Sequence, residues 1–270
     1  MATSSIRTEF EQLGYRVDHD VFSKAEVEAF RREIAWLSTQ DTPQRVLESE
    51  STVVRSLYAV HESSELFGRL ARDPRLLDLA KGILDDDVYL HQSQLNPKAA
   101  FHGEVWDWHQ DFVIWSRDDG MPEPRAINVS VTIDDVNEFN GPLFVVPGSH
   151  LASLEDFTAA VSTGWEGNIR AAKHVVDRAA IEACVSERGM ASMCGAAGSV
   201  LTFDSNILHC SAPNLSPWPR TILFFRYNAV SNALRPVDEP RPWWFASRDP
   251  RPLQPLEGPL LVDVVEMTEA

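Results

Sequence analysis

Hydrophobic positions in the first third of this chain repeat at helical spacing, and afterwards they mostly alternate. Between Ser23 and Ser38, Val27, Phe30, Ile34 and Leu37 fall on one helical face, and Ser23-Lys24-Ala25-Glu26 reads as a capping box ahead of them. This predicts an amphipathic helix lying on a sheet. Ser64–Arg72 and Pro74–Leu84 predict two more helices, with Pro74 suited to a helix start. Glu9–Asp20 reads instead as a short strand centred on Tyr15-Arg16-Val17, and Val53–His61 as an extended apolar run. From Val88 onward the period is two. Val88–Asn96 predicts a strand with Gln92, Gln94 and Asn96 on one face and Tyr89, His91 and Leu95 on the other or nearby. Ile127, Val129, Val131 and Ile133 alternate with Asn128, Ser130 and Thr132, the pattern of a half-buried strand. Leu143–Val146, Gly198–Asp204 and Thr221–Asn228 predict further strands. Residues 151–197 are the least sheet-like, with a helical segment around Val176–Arg188; such an insertion is either a lid or a surface excursion. After Ser231 the chain turns proline-rich and predicts a tail wrapped on the surface. The expectation is a mainly β fold with flanking helices in a single domain, 1–270, without internal repeats.

Composition narrows the class of function. The formal charge is −16, which argues against nucleic acid, since binding there depends on Lys and Arg neutralising phosphates. It argues less strongly against a CoA ester. No apolar run approaches the ~20 residues that span a bilayer, and the first residues lack the apolar core of a signal peptide. Cys184, Cys194 and Cys210 are odd in number and have no metal-site spacing. Together these predict a cytoplasmic protein with a small-molecule partner, no nucleic acid and no membrane.

Candidate chemistry gathers in two segments, Trp106–Phe112 and Asn206–Ser211. His109 and Asp111 are two apart, so on a strand they would project from one face. His209 would complete two histidines and one carboxylate, a set that leaves half an octahedral metal open and is typical of non-haem Fe(II) oxygenases. Arg220 follows on the next apolar run, and its planar fork suits bidentate capture of a carboxylate. His-x-Asp alone is weak, because a polar strand edge with an exposed histidine looks the same. A hydrolytic zinc site would use the same three residues but leaves Arg220 unexplained. Three amides on one strand face, Gln92, Gln94 and Asn96, would be costly in a dry core and fit a ligand pocket or a half-solvated strand.

These residues in chain order, with Asn140-Gly141-Pro142 and Pro147-Gly148-Ser149-His150, resemble the phytanoyl-CoA dioxygenase-like branch of Fe(II)/2-oxoglutarate oxygenases. The likeness runs from about Gly14 to Asn228. It is strongest to bacterial enzymes that hydroxylate free amino acids or similar zwitterions, such as leucine hydroxylases and ectoine hydroxylase. With the strand pattern, the resemblance implies a double-stranded β-helix, a cupin-like jelly roll, with the metal at its mouth. It implies Fe(II) on His109, Asp111 and His209, with 2-oxoglutarate and O2 as cosubstrates. Arg220, Ser211, Asn96 and Trp106 would serve the cosubstrate; Gln92, Gln94, Trp115, Phe224 and His61 would face the substrate. His150 is expected to be structural. Asp111 favours hydroxylation, since related halogenases carry a small residue there. Ectoine hydroxylases have an arginine where this chain has Gln94, which argues against ectoine. The implied activity is hydroxylation of a small zwitterion, foremost a free aliphatic amino acid, in natural-product biosynthesis. The other expectations are a carrier- or CoA-bound or other natural-product intermediate as substrate, or a non-enzymatic metal-binding jelly roll.

Overall fold

The computed structural model describes residues 2–152 and 176–261. In chain order the elements are α1 (Ala2–Leu13), β1 (Tyr15–Asp18), α2 (Lys24–Ser38), β2 (Arg45–Leu47), β3 (Val54–Tyr58), α3 (Val60–Ser63), α4 (Glu65–Leu70) and α5 (Pro74–Leu84). Then come β4 (Val88–Lys98), β5 (Trp106–His109), α6 (Asp111–Ile114), β6 (Ala126–Thr132) and β7 (Leu143–Val145). The chain continues with α7 (Arg178–Arg188), β8 (Ala191–Met193), β9 (Val200–Asp204), β10 (His209–Ser211) and β11 (Arg220–Ala229). Among the described residues no helix is long and apolar enough to cross a membrane.

From β4 onward the chain passes back and forth between two antiparallel sheets. One has the order β1-β9-β6-β11-β4-β3-β2 and the other β5-β10-β7-β8. This alternation is the double-stranded β-helix. Its larger sheet is buried on both faces. Leu95, Leu223, Phe225 and Tyr227 point outward into a core shared with Phe30 of α2, Phe67 of α4 and Leu76 of α5. Ile222, Phe224, Leu201 and Phe203 point inward against Leu143 and Val145 of the smaller sheet. Burying this apolar area at roughly 25 cal/mol per Å² fixes how the two sheets stack.

Several expectations change. Residues Glu9–Leu13 are helical, and Gly14, at φ +73, ends that helix before a strand of only four residues. A Cβ on Gly14 would meet the His150 ring at 2.3 Å, and His150 bonds the carbonyl of Glu11, so His150 is structural as expected. The run Val53–His61 stops being a strand at Tyr58, because Ala59 adopts a left-handed φ of +49 and starts α3. Strand β6 is buried on both faces rather than half-buried, because β9 and β11 flank it and both layers cover it. Within 151–197, Ala191–Met193 pairs with β7 and belongs to the smaller sheet, so this part is no excursion. Residues 153–175, including Gly164–Asn168, lie outside the described residues. The tail does not merely wrap the surface: Arg241, Phe245 and Leu256 are buried.

Candidate active site

In the smaller sheet β5 and β10 are neighbours, and the register sets His109 opposite His209, their ring centroids 4.2 Å apart. Asp111 is not on the strand. The strand ends at His109, Gln110 donates to the carbonyl of Asn206, and Asp111 opens α6. The expected one-face strand geometry is therefore replaced by a turn that folds the carboxylate back, leaving Oδ1 3.5 Å from Nε2 of His109. Ligand atoms of His109, Asp111 and His209 lie within 4.8 Å of one another, and all three residues are buried.

The surroundings prepare these groups for a metal. Nδ1 of His109 bonds the carbonyl of Asp107 at 2.6 Å, and Nδ1 of His209 that of Ile207 at 3.0 Å. A proton on Nδ1 leaves the Nε2 lone pair for the ligand cluster. Burial, aided by His109, lowers the His209 pKa to about 4, so the ring is neutral near pH 7. For Asp111 burial alone would raise the pKa, but His109, His209 and Arg226 outweigh it and hold the carboxyl below the usual range. Metal ligation needs these deprotonated forms. Nδ2 of Asn128, on the neighbouring sheet, donates to Oδ2 of Asp111 at 3.0 Å and fixes its rotation.

The three residues line a pocket of about 710 Å³, its open mouth included, between the two sheets. Gln92, Gln94 and Asn96 all line it, as do Trp106, Trp115, Ser211 and Phe224. Arg220 lies behind Ser211 and Asn96, fully buried. Its Nη2 donates to Ser211 Oγ at 2.9 Å, its Nη1 to Asn96 Oδ1 at 2.9 Å, and its Nε to the Gly141 carbonyl at 2.8 Å. Burial lowers the Arg220 pKa to about 9, as expected for a guanidinium whose partners here are uncharged. Beside it Lys98 is 2% exposed, and burial with the nearby Arg220 charge lowers its pKa to about 6. Trp106 is clamped by Arg55, whose guanidinium carbon lies 4.2 Å from the ring centroid.

His61 is the candidate that the structure sets apart. The turn at Ala59 carries it out of the sheet; its Nδ1 bonds Ser93 Oγ at 2.6 Å, and it borders a separate surface groove with Glu62 and Arg72. Ser93 alternates with Gln92 and Gln94 and so projects from the other face of β4. Cys210 touches the pocket, but burial pushes its thiol up to about 12, so it stays protonated.

Among the pocket residues that sequence reasoning missed are Tyr58, Arg226, Arg241 and Phe245. Arg226 carried a signal, as the one charge inside the apolar run 221–228. Arg241 and Phe245 carried none, because only the fold returns the tail to the mouth. Arg241 forms a bidentate ion pair with Asp119, which is 0% exposed and sits at the end of a π-helical turn, Trp115–Asp119. His91 completes that group, with Nε2 3.1 Å from Asp119 and its ring against Trp115 at 5.2 Å. A bulge places it there: Arg226 pairs with Gln92 but Tyr227 with Leu90, so His91 is the extra residue. The bulge shifts the phase of β4, which puts Tyr89 and His91 on the pocket side and corrects the simple alternation.

Comparison with known proteins agrees with this geometry. The phytanoyl-CoA dioxygenase (PhyH) model matches residues 10–222. An ectoine dioxygenase of Bordetella bronchiseptica is 37% identical over 263 residues, 94% of this chain and 85% of that protein. An L-proline trans-4-hydroxylase of Streptomyces griseoviridis is 36% identical over 241 residues, 87% of this chain and 89% of that protein. The crystal structure of EctD from S. alaskensis with 2-oxoglutarate and 5-hydroxyectoine superposes with a TM-score of 0.85. It is 36% identical and covers 96% of this chain and 88% of that one.

Proposed function

This chain belongs to the phytanoyl-CoA dioxygenase family, and from that premise we propose that it hydroxylates a free aliphatic amino acid or similar small zwitterion in natural-product biosynthesis, in the cytoplasm. It is an iron(II)- and 2-oxoglutarate-dependent dioxygenase that uses O2. His109, Asp111 and His209 fit the iron in donor type and mutual distance, and Asp111 and His209 also in protonation. When bound, the iron supplies oxidative decarboxylation of 2-oxoglutarate to succinate and CO2, with one oxygen atom of O2 entering a C–H bond of the substrate.

The chain's own residues divide the remaining work. Arg220, with Ser211 and Asn96, receives the far carboxylate of 2-oxoglutarate and restores charge balance to a buried guanidinium. Trp106, Trp115 and Phe224 present rings to the pocket and exclude water from the reacting centre. Asn128 and the backbone carbonyls of Asp107 and Ile207 hold the three iron-binding side chains in orientation.

One observation carries the substrate class. The amide nitrogen of Gln92 donates to the Phe245 carbonyl at 2.5 Å, and that of Gln94 to Ser56 Oγ at 2.8 Å and the Tyr58 hydroxyl at 3.1 Å. With both N–H groups of Gln94 and one of Gln92 engaged by the protein, the amide nitrogens are turned to these partners and the carbonyl oxygens are left to a ligand, as a substrate ammonium requires. The apolar walls suit an aliphatic body, and an L-proline trans-4-hydroxylase is among the relatives. The test is succinate release from anaerobically Fe(II)-loaded protein given 2-oxoglutarate, then O2, with pooled amino acids or without, and with Asp111→Ala as control. Stimulation by one pool, absent in the variant, is the expected result. Steady uncoupled turnover that no zwitterion stimulates would remove this substrate class.

A further inference from the structure

Arg226 stands two residues beyond Phe224 on β11, on the same face, and lines the pocket with the iron-binding residues. It is 8% exposed, and its Nε and Nη1 are buried without a hydrogen-bond partner. Its ion-pair contact is Oδ2 of Asp111 at 3.9 Å, beyond hydrogen-bond reach, and that oxygen already accepts from Asn128. The other buried carboxylate of this region, Asp119, is bound by Arg241. Aromatic faces are the other neighbours, Phe224 at 5.2 Å and Trp115 at 6.0 Å from the guanidinium carbon. A buried guanidinium with open donors is costly unless something anionic completes it. Burial already disfavours its charged form.

The cross-strand row adds a second element. Gln92 is directly opposite Arg226 on β4, and Asn128 is opposite on β6. The amide nitrogen of Gln92 is turned to the Phe245 carbonyl, so its carbonyl oxygen is the group left to accept beside a fork with donors to spare. That is the complement of an α-amino acid, whose ammonium and carboxylate are one carbon apart. We propose that Arg226 is the substrate anchor, receiving the carboxylate of a zwitterion whose ammonium is accepted by Gln92. This assignment rests on the zwitterion reading above. It also separates two carboxylates by source. Arg220 lies six residues back on the same strand, roughly 20 Å at ~3.3 Å per residue, so 2-oxoglutarate and substrate each meet their own fork.

Calorimetry under argon tests the assignment, using protein loaded with Fe(II) and 2-oxoglutarate. The probes are the free L-amino acids and ectoine, followed by the best-bound acid against its primary amide. Wild type is expected to bind at least one acid, and its amide more weakly. Arg226→Gln should weaken the acid about 10- to 100-fold, the range for a lost charge-assisted hydrogen bond, while leaving the amide as it was. Arg226→Lys should fall between, since a point charge does not replace a fork. Because Arg226 makes no hydrogen bond and meets Asp111 only at 3.9 Å, Arg226→Gln loaded with Fe(II), which engages that carboxylate, should melt no lower than loaded wild type. The proposal is overturned if the acid binds the glutamine variant as tightly, if no acid binds wild type, or if the variant melts lower or fails to fold. The last would make Arg226 a structural partner of Asp111. Loss confined to 2-oxoglutarate affinity would give the fork to the cosubstrate and equally overturn it. Failure of the oxygenase reading shows separately, as wild type that consumes no 2-oxoglutarate with O2.

Discussion

At one end of β11 the Arg220 guanidinium is surrounded by uncharged oxygens from Gly141, Asn96 and Ser211; at the other end the Arg226 guanidinium keeps open donors between Phe224, Trp115 and a carboxylate just out of reach. Both side chains are buried on the same strand. The difference lies in what each end has been built to wait for. Arg220 is held in place before any ligand arrives, as the role proposed for it, preorganised capture of the 2-oxoglutarate carboxylate, requires. Arg226 is positioned by its strand but not satisfied, so a ligand can supply the missing partner and be selected by doing so.

The most severe test removes the carboxylate that lies between the metal site and Arg226. Asp111→Ala should abolish 2-oxoglutarate consumption and weaken Fe(II) binding by more than the roughly 100-fold typical of losing a mere supporting partner, read by equilibrium dialysis and succinate release. Next in size is the buried ion pair between Asp119 and Arg241. Arg241→Leu leaves Asp119 buried without its fork and should cost about 3–5 kcal/mol of stability, measured by urea unfolding. A variant as stable as wild type would show that Asp119 can turn to another cation.

Arg220→Gln should raise the KM for 2-oxoglutarate about 10- to 100-fold, with a smaller change in kcat, since its contacts are made before the chemical step. The mildest effect concerns pH. Lys98 is neutral above about pH 6 in the free protein. A carboxylate arriving at Arg220 favours the ammonium form, so binding takes up a proton above that pH. Affinity for 2-oxoglutarate should therefore be strongest below about pH 6 and weaken on going alkaline, by at most about tenfold per pH unit for one proton. Lys98→Met should flatten this slope, while affinity for the zwitterion proposed at the Arg226 end, which has no lysine beside it, should keep its own profile.

Much of the site was legible before any folding, for a local reason. His109 and Asp111 sit in one short segment, and His209, Ser211 and Arg220 in another, each with the residue types that iron and a dicarboxylate demand. Periodicity likewise disclosed the Ser23 helix, α5 and the strands of the larger sheet, because burial on one face repeats with the backbone. It failed where a single residue broke the repeat. Ala59 turned a strand into a helix and took His61 from the pocket, and the extra residue His91 reversed the facing of Tyr89.

The sequence by itself determined which chemistry this protein performs, since metal ligands and the cosubstrate arginine are chosen by atom type and short spacing. Only the tertiary structure decided which side chains line the pocket. Arg226, Gln92, Tyr58 and Phe245 come from distant parts of the chain, and sheet register, a bulge and a buried ion pair bring them together. Those long-range contacts arise from burial summed over the whole molecule, which no local pattern encodes.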